Sequence, residues 1–347
     1  MLRAVAAWTL GFALSAWFAG VSFPPAELPS TVREKVAHLA AHGGDYDAIF
    51  VGSSRIQNHL MPAVFDRLAT EGGLPMKSFN AGVSSMHTPE DGWYLEQILA
   101  QKSARLRWVF LEIGFFETGL QDGQDGTLRG VPWHDWTRFR QLCRRLAVTS
   151  AAHDISGQSD GFFERLRDFV DHLATFGQRQ TQLGRGTLFF DRWRGAQSPE
   201  PMEWENLGAS GDGWVPAKTD RARAARSGAR LAAVIAERMK NPPRPSQADR
   251  VSQAVLGEAI AQITSAGATA VLVMPPRTGS HYFVPSVENA RHAAIVDLCR
   301  PGKYPELYDL RYRIDTSHLN VVGAEILTRI VAGRFLEIAG AAPDPAP

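Results

Sequence analysis

Toward both ends of the chain, short and mostly apolar runs alternate with longer segments whose apolar positions recur at helical spacing. Residues 47–51, 76–83, 108–113 and 270–274 have the run length and apolar content of strands buried on both faces of a parallel sheet. Between and beyond them, residues 30–42, 61–70, 249–265 and 285–299 predict helices, and Leu307 to Leu310 predicts the last strand. Thr88-Pro89-Glu90-Asp91 is a helix start, with a capping hydroxyl, proline at the first position and acids near the positive end of the dipole. Gly72-Gly73 and Gly267 read as stops. A final helix over 322–338 puts Ile326, Ile330 and Phe335 on its buried side, and 341–347 is a tail.

The alternation fails between about 121 and 248, where helical segments are broken by Gly, Pro and Trp. The pattern therefore predicts a three-layer α/β/α domain with a parallel sheet, built from residues 30–120 and 249–340 around a Trp-rich helical insertion at 121–248. Within the insertion, a helix at about 135–149 mixes Trp136, Phe139, Leu142 and Leu146 with Arg138, Arg140, Arg144 and Arg145, so one apolar and one basic face are expected. Trp133, Trp136, Trp193, Trp204 and Trp214 suit sugar stacking as well as packing of the cap against the core.

The amino end changes the picture of location. No charge occurs from Ala4 to Ala26 after Arg3, which is about the length of a spanning helix. Residues 1–29 are thus expected to be a signal anchor, single-pass in the inner membrane, with the remainder in the periplasm or otherwise outside the cytoplasm. A cleavable signal peptide is the competing reading, with small residues at Gly20 and Ser22. Pro24-Pro25 and Pro29 end the helix.

Composition excludes more than it proposes. The 347 residues, 44% hydrophobic and 21% charged, are ample for a globular core, and a net charge of +1 gives no electrostatic case for nucleic acid. There is no zinc spacing, P-loop or dinucleotide fingerprint, so neither metal nor cofactor is expected. Only Cys143 and Cys299 are available, and whether they pair is open.

Chemistry is concentrated in two separated motifs. Gly52-Ser53-Ser54 follows the first apolar run, and Asp315-Thr316-Ser317-His318 precedes the last helix. A serine hydroxyl becomes a nucleophile when an imidazole accepts its proton, and the imidazole needs a carboxylate to fix its tautomer and stabilise its cation. Ser54, His318 and Asp315 supply those three groups in the order Ser, Asp, His.

On these motifs the chain resembles the SGNH, or GDSL-like, hydrolase superfamily, whose first block is Gly-Asp-Ser and whose last is Asp-x-x-His. The Gly-Ser-Ser variant is similar to that of the D-alanyl transfer protein of teichoic acid synthesis. The resemblance covers about 45–118 and 250–335 and implies a flavodoxin-like sheet, Ser54 as nucleophile, and an oxyanion hole of the Ser54 and Gly82 N–H groups, with Gly82 in Asn80-Ala81-Gly82 as the second block. The third block departs: Glu112-Ile113-Gly114-Phe115-Phe116-Glu117 puts Phe116 where an asparagine oxyanion donor belongs.

By the same resemblance, the expected activity is O-acyl transfer or acetylester hydrolysis on a cell-surface or secreted polysaccharide, as in the periplasmic alginate-type O-acetylation proteins, with a membrane-bound acyltransferase as partner. Arg55 is a candidate for binding an acidic sugar; Glu112 and Glu117 are spare acids, and His59 and His87 carry no assigned role. The alternative is a non-catalytic glycan-binding or assembly component on the same scaffold, motivated by Phe116 and the Trp-rich insertion.

Overall fold

The computed structural model describes residues 2–22, 29–101, 103–114, 129–147, 162–181, 206–218, 221–247 and 250–341. Its helices are α1 (Leu2–Ser22), α2 (Ser30–His42), α3 (Ser54–His59), α4 (Pro62–Glu71), α5 (Glu90–Leu99), α6 (Gly130–Trp133), α7 (Trp136–Ala147), α8 (Phe162–Thr181), α9 (Arg221–Lys240), α10 (Arg250–Ser265), α11 (Val287–Arg291) and α12 (Val321–Ala341). The strands are β1 (Ala48–Val51), β2 (Ser78–Asn80), β3 (Trp108–Glu112), β4 (Arg244–Gln247), β5 (Thr269–Met274), β6 (His281–Val284) and β7 (Ala294–Asp297).

Five strands form one sheet in the order β2-β1-β3-β5-β7, every pair parallel. Counted alone, they run 2-1-3-4-5, the doubly wound order in which the chain reverses direction across the sheet between β1 and β3. Side chains alternate faces along each strand. Phe50 and Phe110 point to one face and meet Phe65 of α4 and Phe335 of α12, with ring centroids 5.1 Å apart for Phe50 and Phe65 and 5.4 Å for Phe110 and Phe335. All four rings are buried, so truncating any of them costs about 3–5 kcal/mol. On the other face, Leu111 lines a small cavity together with Leu95 of α5 and Val255 and Leu256 of α10. The expected α/β class and parallel sheet are therefore present, with helices on both faces.

The last strand is not where the apolar pattern placed it. Residues 285–299 hold only the short helix α11 followed by β7, and Pro305–Tyr308 is a 3-10 turn. The run Ala294-Ile295-Val296 finds an unpaired edge at β5, where Val273 pairs with Val296, whereas Pro305 lacks the N–H that a ladder needs. A second, two-stranded parallel sheet of β4 and β6 was also outside the expectation.

The described residues fall into two compact units. One contains α1, α6, α7 and α8; the other contains both sheets and the remaining helices, except that the first turn of α2 belongs to the first unit. Residues 206–218, α9 and β4 thus belong with the sheet, although the sequence pattern assigned them to the insertion. On α7 the basic face is only partly external: Arg138 and Arg145 are buried, Arg138 beside Asp135 at 3.0 Å, while Arg140 and Arg144 are exposed.

The amino-terminal segment is helical, as expected, but no membrane-spanning helix is found there among the described residues. Helix α1 is long enough at about 31 Å. Among the described residues no helix is long and apolar enough to cross a membrane.

One fold contact carries a carboxyl shifted by burial. Asp66 of α4 accepts the Ser78 N–H at 3.0 Å and the Ser78 hydroxyl at 2.6 Å at the start of β2. Burial pushes its carboxyl up to about 6, against the Ser78 bonds and with a smaller push from Asp212 and Asp47. A raised acid binds its proton more tightly in the folded chain, so its contribution is complete below the unfolded value of 3.8 and is lost as pH rises through about 6. Asp66→Asn keeps an acceptor for the Ser78 N–H without the charge. The melting temperature of the wild type relative to this variant is expected to fall between pH 4 and pH 6.5; a constant difference would remove Asp66 as the source.

Candidate active site

The site begins where β1 ends, at the carboxyl edge of the sheet beside the point of reversal, the place where open α/β sheets bind their ligands. Gly52 makes the turn with φ +158°, and a Cβ there would lie 2.5 Å from both Ile56 Cγ1 and Glu112 Cβ. Ser53 is the N-cap of α3, its hydroxyl accepting the Arg55 N–H at 3.2 Å. Ser54 is consequently the first helical residue. Its N–H has no partner among the described residues, as helix geometry dictates for that position.

A buried carboxylate fastens the turn. Glu112, the last residue of β3, accepts both the N–H and the hydroxyl of Ser53 on Oε2 at 2.8 Å. Its Oε1 lies 2.8 Å from Arg55 Nε, an ion pair rather than an aligned hydrogen bond. Burial alone would raise its pKa, but the Arg55 and Arg277 charges and the Ser53 bonds outweigh that and hold it below the ordinary range. Glu112 is a structural anion rather than a spare acid. Arg55, offered by the sequence as a sugar-binding residue, turns inward to Glu112 and the Ser53 hydroxyl with its side chain 15% exposed.

The second motif meets the first across 264 residues. His318 Nε2 is 2.8 Å from Ser54 Oγ, and His318 Nδ1 is 3.0 Å from Asp315 Oδ2. The carboxylate therefore fixes the tautomer: Nδ1 carries the proton and Nε2 accepts from Ser54. Asp315 also accepts the backbone N–H groups of Ser317 and His318 at 2.7 Å. Its partial burial opposes ionisation, yet the His318 and Ser317 bonds prevail and hold the carboxyl far below its usual value. The loop is stapled by Arg313, whose guanidinium donates to the carbonyls of Leu307, Asp315 and Thr316 at 2.7, 3.2 and 2.8 Å. Asn320 then caps α12, accepting the Gly323 N–H at 2.9 Å.

Gly82 departs from its expected role. Its N–H donates to Asn80 Oδ1 at 2.9 Å and is not free for an oxyanion. Asn80 turns its amide the other way, onto the carbonyls of Ile56 and Leu60 at 2.8 and 2.6 Å, so it ties this loop to the end of α3. The glycine is required by contact instead, because a Cβ at Gly82 would sit 2.3 Å from the Gln57 N. Lys35 completes the clamp from within the core, donating to the carbonyls of Asn80, Gly82 and Gly213 at 2.9, 2.7 and 2.9 Å. Desolvation lowers its ammonium pKa to about 7, with Asp212 opposing.

Phe116 and Glu117, with Trp193 and Trp204, lie outside the described residues. Trp133 is buried and stacked on His134 at 3.7 Å, and Trp214 Nε1 donates to the Asn58 carbonyl at 3.0 Å, so both pack the structure. Trp136 is 57% exposed. Cys143 and Cys299 are both free, and burial pushes the Cys299 thiol up to about 12. The roles of Glu112, Asn80, Arg313 and Lys35 escaped the sequence reading. A glutamate closing an apolar strand was a legible signal; a lysine in a mixed helix was not. Compared with models of known families and with curated proteins, the chain matches none.

The Glu112 cluster makes a direct prediction. Glu112→Gln removes the charge facing the half-buried Arg55 and the buried Arg277 guanidiniums and is expected to cost about 3–5 kcal/mol. Adding Arg55→Met should restore part of that loss. Denaturant unfolding of the two variants checks the coupling, and independent effects would show that the pair does not interact.

Proposed function

We propose that this chain is a serine-dependent acyl-transfer enzyme of SGNH type acting outside the cytoplasm on ester groups of a polysaccharide. The observation that carries the reading is the continuous Ser54–His318–Asp315 chain of hydrogen bonds at the carboxyl edge of the sheet. In this reading Ser54 Oγ attacks the acyl carbonyl while His318 Nε2 takes its proton, and Asp315 steadies the imidazolium. The developing oxyanion meets the unpartnered Ser54 N–H. His318 then returns the proton to the leaving alcohol. A sugar hydroxyl or water, deprotonated by the same imidazole, releases the acyl group; sugar makes the protein an O-acetyltransferase, water an acetylesterase.

The uncharged run from Ala4 to Ala26 behind Arg3 supports export, and a membrane-bound acyltransferase would fit as acyl donor. The engagement of the Gly82 N–H favours one alternative, a non-catalytic glycan-binding component on the same scaffold. Losing one oxyanion donor costs about a hundred- to a thousandfold in rate.

An activated acetyl ester and a fluorophosphonate probe separate the readings. Turnover and labelling of Ser54 are expected, both abolished in Ser54→Ala. Asp315→Asn should lower kcat by about a hundredfold or more through the wrong imidazole tautomer, and His318→Ala at least as much. Equal hydrolysis by wild type and Ser54→Ala would favour the binding component. For location, a phosphatase reporter fused after residue 347 should be active; activity only with a cytoplasmic reporter would reverse the assignment.

A further inference from the structure

His59 ends α3, the helix that Ser54 begins, and its ring is buried. Its Nε2 accepts the N–H of Leu319, the residue after His318, at 3.0 Å. A nitrogen that accepts carries no proton, so in the neutral ring the proton is on Nδ1. That Nδ1 is buried without a hydrogen-bond partner among the described residues, a burden that an apolar side chain of similar size would not carry. The two imidazoles stand edge to face, with centroids 6.1 Å apart and planes at 70°. The His59 carbonyl in turn accepts the Thr328 hydroxyl of α12 at 2.9 Å, and Thr328 Oγ1 accepts the Met61 N–H at 3.1 Å. A short closed circuit results: Ser54 Oγ to His318, along the chain to Leu319, across to His59, and back through α3 to Ser54.

We propose that His59 is a positioning residue that holds the His318 imidazole on Ser54 by capturing the Leu319 N–H. This rests on the reading of Ser54 and His318 as catalytic. A neutral acceptor is required at this place, because a proton on Nε2 would abolish the bond and set a second cation beside the imidazolium formed during acyl transfer. Burial, reinforced by His318, Arg313 and Arg55 and opposed by Asp315, keeps the His59 ring neutral. The Arg313 staple and the bonds from the Ile314 and Asn320 N–H groups to the His318 and Tyr312 carbonyls tie the loop to its own chain; besides the Ser54–His318 bond, the His59 bond is what ties it to the serine helix.

The test uses the full-length chain with His59→Phe, which keeps the ring and removes the acceptor, and His59→Gln, whose amide oxygen can accept the Leu319 N–H. Turnover of the activated acetyl ester, melting temperature and hydrogen-deuterium exchange of a peptide spanning 314–322 are read on the same samples. In His59→Phe, kcat is expected to fall on the order of tenfold to a hundredfold with KM within about twofold, as a displaced catalytic group would give. His59→Gln should recover most of that loss, and exchange over 314–322 should rise in the Phe variant alone. Wild-type kcat in folded His59→Phe, or equal losses in both variants, would overturn the inference. If wild type and Ser54→Ala are equally inactive, the catalytic reading fails by itself; the exchange measurement still decides whether His59 holds the loop, and unchanged exchange in His59→Phe would overturn that too.

Discussion

The arrangement depends on holding a one-residue turn at the end of β1, and a buried carboxylate does so. Glu112 comes from the neighbouring strand, so its register with β1 fixes where Ser53 is gripped, and Ser53 as N-cap fixes where α3 begins. Gly52 allows β3 to approach this closely. Ser54 then stands at the first helical position, its N–H unpartnered among the described residues and its hydroxyl on His318 Nε2. Removing water from a carboxylate is costly, and here two guanidinium charges and two Ser53 donors offset that cost.

The same logic is repeated around the site with different groups. Arg313 gathers three carbonyls beneath Asp315 and His318, and Lys35 gathers three more beneath the loop after β2. Irregular backbone near a core leaves carbonyls that no ladder satisfies, and a buried cation can satisfy several at once. These clamps let loops hold side chains as firmly as regular elements do. They also explain why Gly82 keeps its N–H on Asn80: the second loop is organised toward α3, where Asn80 satisfies the last carbonyls of the helix.

The other unit leaves large apolar side chains exposed. There, α1 presents Trp8, Leu10, Leu14, Trp17 and Phe18 to its surroundings, and α8 exposes Phe163 and Val170. The buried His134 and His172, 2.9 Å apart and backed by Trp133, give that unit a polar centre of its own.

The sequence by itself determined the parallel sheet, most helix positions, and the residue types of the triad. Apolar runs, caps and glycine stops are local signals, and Gly-Ser-Ser and Asp-x-x-His are each contiguous. It could not determine the last strand, because Ala294 to Asp297 becomes a strand only where β5 leaves an edge open. Nor could it separate residues that face a substrate from residues that face inward. Arg55 and Gly82 had the right types and positions, but Arg55 Nε faces the Glu112 carboxylate and the Ser53 hydroxyl and the Gly82 N–H is taken by Asn80, partners distant in sequence or set by a loop conformation. His59 looked like a helix-end residue until Leu319 arrived from the other end of the chain. Local pattern fixes what a residue can do; only the packed fold decides which of its donors and acceptors remain free to do it.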